Sequence, residues 1–340
     1  MALNVFTSAR VGFEANRVTS VTPTRYLYGT DFTHEQTITT IRPEELRNNY
    51  EGFFTASTGI ETNTFTVADR MSFEDAVWYA NHYVAPLGTA NSNVTGGGTG
   101  GTAYRWIFTP SGTADNVKTS TIQLGYADTI ATAPGVQLAG ALGNTWNLHF
   151  EKANADGAVT SEAQFFMGGT ATQITAFTGS PTDRTVNRVG LFSTLVYLDA
   201  ATIGTTSDSN VVSVDWTLNL SPVPFYSLDN TAGANAVYRP NHRTWTATIR
   251  RRYSSAAEWT IYQSKAERKI RVKALGPAFS TATNGTALLQ LDLYGAYTCR
   301  TWSEIDGIIT EDITVEPYYD STATTSFSME VIASTLGTMF

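Results

Sequence analysis

A single cysteine, Cys299, stands in a chain of 340 residues, so no intramolecular disulfide can form. That excludes the stapled scaffolds of small secreted domains, and the residue itself is expected as a small core side chain. No apolar run approaches the length of a membrane span; even residues 287–296 are broken by Gln290 and Asp292. The first ten residues carry neither a basic stretch nor an apolar one, so no secretory signal is expected there. Histidines are few and scattered: His34, His82, His149 and His242 make no His-Glu-x-x-His motif and no zinc cluster. Also missing are a Gly-x-Ser-x-Gly elbow and a dinucleotide fingerprint. Residues 93–102 are rich in glycine, but the Gly-Lys-Ser/Thr ending of a phosphate loop is lacking, and composition reads as a linker. Glu44 with Glu45, Glu74 with Asp75, and Glu311 with Asp312 are sequence neighbours whose side chains point apart on a helix or strand, so none is an acid/base couple. No catalytic residue, metal or cofactor is expected, and the chain does not read as an enzyme. Charge is sparse too, at 15% of residues, with a net charge of -8. That balance argues against a surface that grips nucleic acid by neutralising phosphates.

What is plentiful is Thr, Ser, Gly and aromatic residues, and with 42% hydrophobic residues the chain can bury a real core. This is the composition of many short, half-buried strands joined by turns. Residues 31–41 alternate Thr33, Glu35, Thr37 and Thr39 with Phe32, His34, Gln36 and Ile38, and break at Pro43. Residues 211–220 alternate Ser213, Asp215, Thr217 and Asn219 with Val212, Val214, Trp216, Leu218 and Leu220, and break at Pro222. Both predict strands with one wet face. A shift of roughly 180 residues lays Glu35 on Asp215, Thr37 on Thr217 and Thr39 on Asn219. The same shift lays Thr64-Phe65-Thr66-Val67 on Thr244-Trp245-Thr246-Ala247. Each copy then offers its one good helix: residues 72–84, capped by Ser72 with Glu74 and Asp75 in the first turn, and residues 254–269.

The chain therefore reads as mainly β: an irregular N-terminal arm over residues 1–29, then two tandem β-sandwich-like domains over 30–185 and 186–340, each with a flanking helix. Long polar loops, 42–61 and 222–239, interrupt each copy where compact domains usually keep loops short, which marks them as functional. Basic residues crowd positions 243–273, among them Arg250, Arg251 and Arg252, opposite acids in the matching stretch of the first copy such as Glu44 and Glu45. The cluster reads either as a complementary subunit interface or as a solvated helix face. The alternating strands leave a similar choice, since a wet face can line a channel or meet outside water.

The order of features resembles the phage tail tube, or major tail protein, family. It is carried by the alternating strand and long loop (32–62), the strand and helix (64–84), and paired strands around a turn (136–169, with Trp146-Asn-Leu-His-Phe-Glu151). Residues 245–276, 306–320 and 326–332 complete it. The resemblance implies a non-enzymatic virion protein of the duplicated type, self-assembled into trimeric rings of pseudo-sixfold symmetry. These rings stack into a hollow tail tube for genome ejection, made in the bacterial host cytoplasm. It implies a tape-measure protein inside, terminator and tip proteins at the ends, and double-stranded DNA that passes without specific binding, with no membrane involved. On that reading Glu35, Thr37, Thr39, Asp215, Thr217 and Asn219 line the lumen, Asn48, Glu51, Asp229 and Asn230 lie in ring-stacking loops, and the helices brace the barrel's outside. A different class stays open, a β-rich carbohydrate- or receptor-binding module whose aromatics form a platform; a capsid-associated or pilus-like assembly protein is a third.

Overall fold

The computed structural model describes residues 6, 8–15, 18–41, 57–84, 91–93, 103–110, 118–125, 135–152, 157–179, 181, 186–226, 234, 236–238, 243–278 and 286–334. The first stretch forms β1 (Ser8–Phe13), β2 (Arg25–Leu27), β3 (Asp31–Ile41) and β4 (Ser57–Arg70). Helix α1 (Phe73–Tyr83) leads to β5 (Asn91–Asn93), β6 (Ala103–Phe108), β7 (Ser120–Gly125), β8 (Gly135–Glu151), β9 (Thr160–Met167) and β10 (Thr172–Ile174). Then come β11 (Thr194–Asp199), β12 (Val211–Asn219), the small hairpin of β13 (Val223–Phe225) and β14 (Ala236–Tyr238), and β15 (Thr244–Arg252). Helix α2 (Ala257–Ser264) is followed by β16 (Glu267–Ala278), β17 (Thr286–Ile305), β18 (Ile308–Pro317) and β19 (Phe327–Ser334). The protein is mainly β, and every strand pairing is antiparallel.

One unit of topology occurs twice. In the first half the strands lie side by side as β3, β4, β9, β8, β7, β1. In the second they lie as β12, β15, β18, β17, β16, β11. On the long central strand of each unit one edge carries a second partner further along, β10 on β8 and β19 on β17. The long central strand of each unit slips register against one neighbour at a like place, β8 between Gly143 and Thr145 against β9 and β17 between Tyr297 and Cys299 against β18. Matching these slips makes Thr145 the counterpart of Cys299. Counting across the sheet through Gln164 and Thr66, and through Thr314 and Thr248, makes Thr33 the counterpart of Asp215. The offset read from the sequence is therefore corrected by two residues: Glu35 faces Thr64 while Asp215 faces Thr248, so no single shift of 180 fits both strands. Faces survive the correction because an offset of two preserves the pleat.

The two units share strands' edges. β12 of the second half pairs along β8 of the first, and β19 pairs with β6. Between these layers lies α1, packed on β8, β19, β17 and β6 with all of its residues buried. Its polar residues are held: Ser72 Oγ accepts from the Asp75 amide at 2.9 Å, Glu74 accepts from Asn187, and His82 bonds Ser120 and the Trp78 carbonyl. α1 is therefore a core element, buried between layers of the same chain.

Other expectations change as well. The supposed irregular arm holds β1 and β2, with β1 zipped against β7 and pinned by Glu14, whose buried carboxylate accepts from Thr119, Thr121 and the amides of Val18 and Gly140. Residues 57–61 of the first long loop already belong to β4. The second helix ends at Ser264, where Lys265 takes a left-handed conformation at φ 52° and closes it. Beyond it the pattern has period two, with Arg268, Ile270, Val272 and Ala274 buried, so the stretch is a strand. Cys299 is exposed, not a core residue.

A wet sheet face with two open edges

Following the pairings through the seam between the halves gives one continuous sheet in the order β3, β4, β9, β8, β12, β15, β18, β17. Directly opposed residues share a face, so one row reads Thr33, Thr66, Gln164, Thr145, Asn219, Thr244. The rows beside it add Glu162, Asn147, Thr217 and Thr246, then His149, Asp215 and Thr248. This face is wet and dominated by Thr, Asn, Gln and acids. Its reverse is the core: Phe65, Phe165, Trp146, Trp216, Trp245, Ile249 and Val315 are all buried there. Trp146 and Trp216 meet edge to face across the seam with ring centroids 5.6 Å apart.

Of the six residues expected to line a lumen, Glu35, Thr37, Asp215, Thr217 and Asn219 fall on this one face, while Thr39 lies in the register irregularity between Ile38 and Thr40. Glu35, Thr37, Thr39, Asp215 and Asn219 are exposed and Thr217 is half-buried. The structure brings the five on this face to one surface but not into contact with each other. Asp215 is engaged at the seam, where its carboxylate meets His149 Nδ1 while His149 Nε2 lies 3.2 Å from Glu151. Burial alone would lower the His149 pKa; its bonds to Asp215 and Glu151 outweigh that and raise it. No sequence signal marked His149, because Asp215, the partner that joins it to the other half, is 66 residues away.

The basic cluster is largely neutralised within the chain. Arg251, expected at a subunit interface, is a buried residue between Glu311 at 3.1 Å and Asp208 at 2.8 Å. Arg250 forks onto Asp312 at 2.7 and 3.0 Å, Arg271 forks onto Asp292, and Lys269 meets Asp320. Arg252 is exposed and, among the described residues, its side chain reaches Asn210. Alternation along β15 explains the split, since neighbouring arginines must face opposite sides. Glu44, Glu45, Asn48, Glu51, Asp229 and Asn230 lie outside the described residues. The described part of the second long loop folds down onto its own chain, where Tyr226 and Ala234 cover Leu142 and Phe166 of the first half.

At both ends the sheet is open. Among the described residues, β3 has β4 on one side and no strand on the other. In β17, β16 stops at Ala296, so residues 297–305 pair only with β18. Large apolar side chains sit exposed on these edges: Ile38 at 46% and Trp302 at 53%, with Tyr253 meeting Trp302 edge to face at a centroid separation of 4.7 Å. Among the described residues no group of His, Cys, Asp and Glu is arranged to hold a metal, and no helix is long and apolar enough to cross a membrane. The chain matches no family model and no curated protein.

Proposed function

We propose that this chain is a structural subunit that joins copies of itself edge to edge into rings, stacked as the hollow tail tube of a phage through which DNA is delivered. The observation that carries the reading is the continuous wet sheet that already contains one seam between equivalent units and ends in two edges with no strand partner among the described residues. An exposed strand edge is a template for another strand, and closing the sheet on itself removes it. The edges differ, one being β3 and the other β17, so the contact between copies is head to tail and generates a ring or a helix instead of a simple two-fold dimer. With two units per chain, three chains give a ring of pseudo-sixfold symmetry. A lumen of Thr, Asn and Gln with scattered acids lets DNA slide, because phosphates find few cations to bind. Tape-measure, terminator and tip proteins, and residence in the virion, follow from that role.

A second reading has its own support. Exposed Trp259 and Trp302, with the Arg300 guanidinium over both rings at 5.1 and 4.1 Å, would suit a carbohydrate- or receptor-binding platform. Electron microscopy of the purified chain with its solution mass separates the two. Rings or hollow tubes with threefold mass support the tube subunit. A persistent monomer that is retained on a glycan array favours the platform.

A further inference from the structure

The in-chain seam is a template for the missing contact. Where β12 lies on β8, Thr145 faces Asn219, Asn147 faces Thr217 and His149 faces Asp215, and the Leu220 amide donates to the Asn144 carbonyl at 2.9 Å. Each of these strands has a counterpart in the other unit: β3 corresponds to β12, and β17 to β8. Among the described residues both counterparts lack a strand partner on the equivalent side.

We infer that β3 of one copy pairs antiparallel with residues 297–305 of β17 in a second copy of this chain, in the register of the in-chain seam. Thr37 then faces Cys299, Glu35 faces Thr301 and Thr33 faces Ser303. This rests on the self-assembly reading above and assigns the strands and register by which it occurs.

Three observations carry it. First, burial: the counterpart of Ile38 is Leu220 and the counterpart of Trp302 is Leu148, both buried at the in-chain seam, whereas Ile38 and Trp302 stand about half exposed. The same pairing would cover them. Second, direction: strands alternate along the sheet from β3 to β17, and eight is even, so β17 runs opposite to β3 and a repeat of the sheet stays antiparallel across the new junction. Third, side-chain character: Thr37, Glu35 and Thr33 meet Cys299, Thr301 and Ser303 on the wet face, with no like charges opposed.

The native Cys299 supplies the test. Opposed residues in an antiparallel pair lie about 4.5–5.5 Å apart at Cα, within disulfide range. Thr37→Cys, at an exposed site, should therefore give a ladder of covalent oligomers under mild oxidation of the assembled protein, abolished by adding Cys299→Ser. Thr33→Cys places its thiol four residues along the strand, about 13 Å away, and should cross-link about tenfold less. Preferential cross-linking from Thr33→Cys would overturn the register. Assemblies that form normally but cross-link from neither position would overturn the pairing while leaving self-assembly intact. A chain that never assembles would overturn both.

Discussion

His149 sits where the two halves meet, and its surroundings make the seam pH-dependent. The carboxylates of Asp215 and Glu151 face it, with Arg250 on β15 beside the same acids. Its folded pKa lies above the ordinary 6.5, so the stabilisation it brings is complete below that value and is lost as pH rises through the folded one. We expect the melting temperature to fall as pH rises above 6.5, and Asp215→Asn to flatten that part of the slope. A slope unchanged in the variant would contradict this. Asp69 is a second titrating group. Burial raises its pKa to about 7 against the pull of Arg188, 2.8 Å away. Here too the folded value exceeds the unfolded one, so the contribution is complete below 3.8 and fades as pH climbs through about 7. Asp69→Asn should gain on the wild type by roughly 2 kcal/mol between pH 5 and 7, read by urea denaturation at each pH. At this scale the sequence showed which residues are charged but not where they point. Arg250 and Arg251 differ by one position, and only the start of β15 decides that one reaches the wet face and the other the core.

Elements met in the sequence by clean alternation were legible; those without it were not. β12 showed itself because one face is wet and the other carries Val214, Trp216 and Leu218, and β18 did so for a similar reason. β16 did not, since its basic residues fill the outward positions of a strand yet also suit a helix continuing from Trp259. The last turn of β17 onto β18, residues 298–305, has no buried stripe to reveal it, because its partner strand lies outside the chain on our reading. α1 looked amphipathic, yet its acids and His82 are buried, Glu74 against Asn187 and His82 against Ser120, partners distant in sequence. Two variants probe the packing between elements. Trp216→Ala should cost about 3–5 kcal/mol, because it empties the seam behind β12 and β8. Gly276 lets β16 approach α1, and a Cβ there would come 2.4 Å from the Phe73 ring, so Gly276→Ala should cost about 1–3 kcal/mol in thermal or chemical melts. Stability unchanged in either variant would contradict the packing described.

At the scale of the molecule, the duplication was visible as a repeated order of strand, loop, strand and helix, while the joining of the copies was not. Edge pairing between β12 and β8 depends on backbone geometry that no side-chain pattern announces. Residues 30–185 and 186–340 produced separately should therefore fail to fold as stable units, since each loses neighbours that complete its core; circular dichroism melts and amide exchange would reveal the absence of a cooperative transition. Residues 103–108, forming β6, have a further consequence in time. Besides the short β5, their neighbour in the sheet is β19, and Arg105 bonds Glu330 across 225 residues of chain. At roughly 5–20 residues per second on a ribosome, β6 waits some 10–45 s for the strand that covers it. A nascent chain cannot cover β6 until β19 has emerged. If copies join as proposed above, translation itself would act as a timer that keeps half-made copies out of the growing assembly.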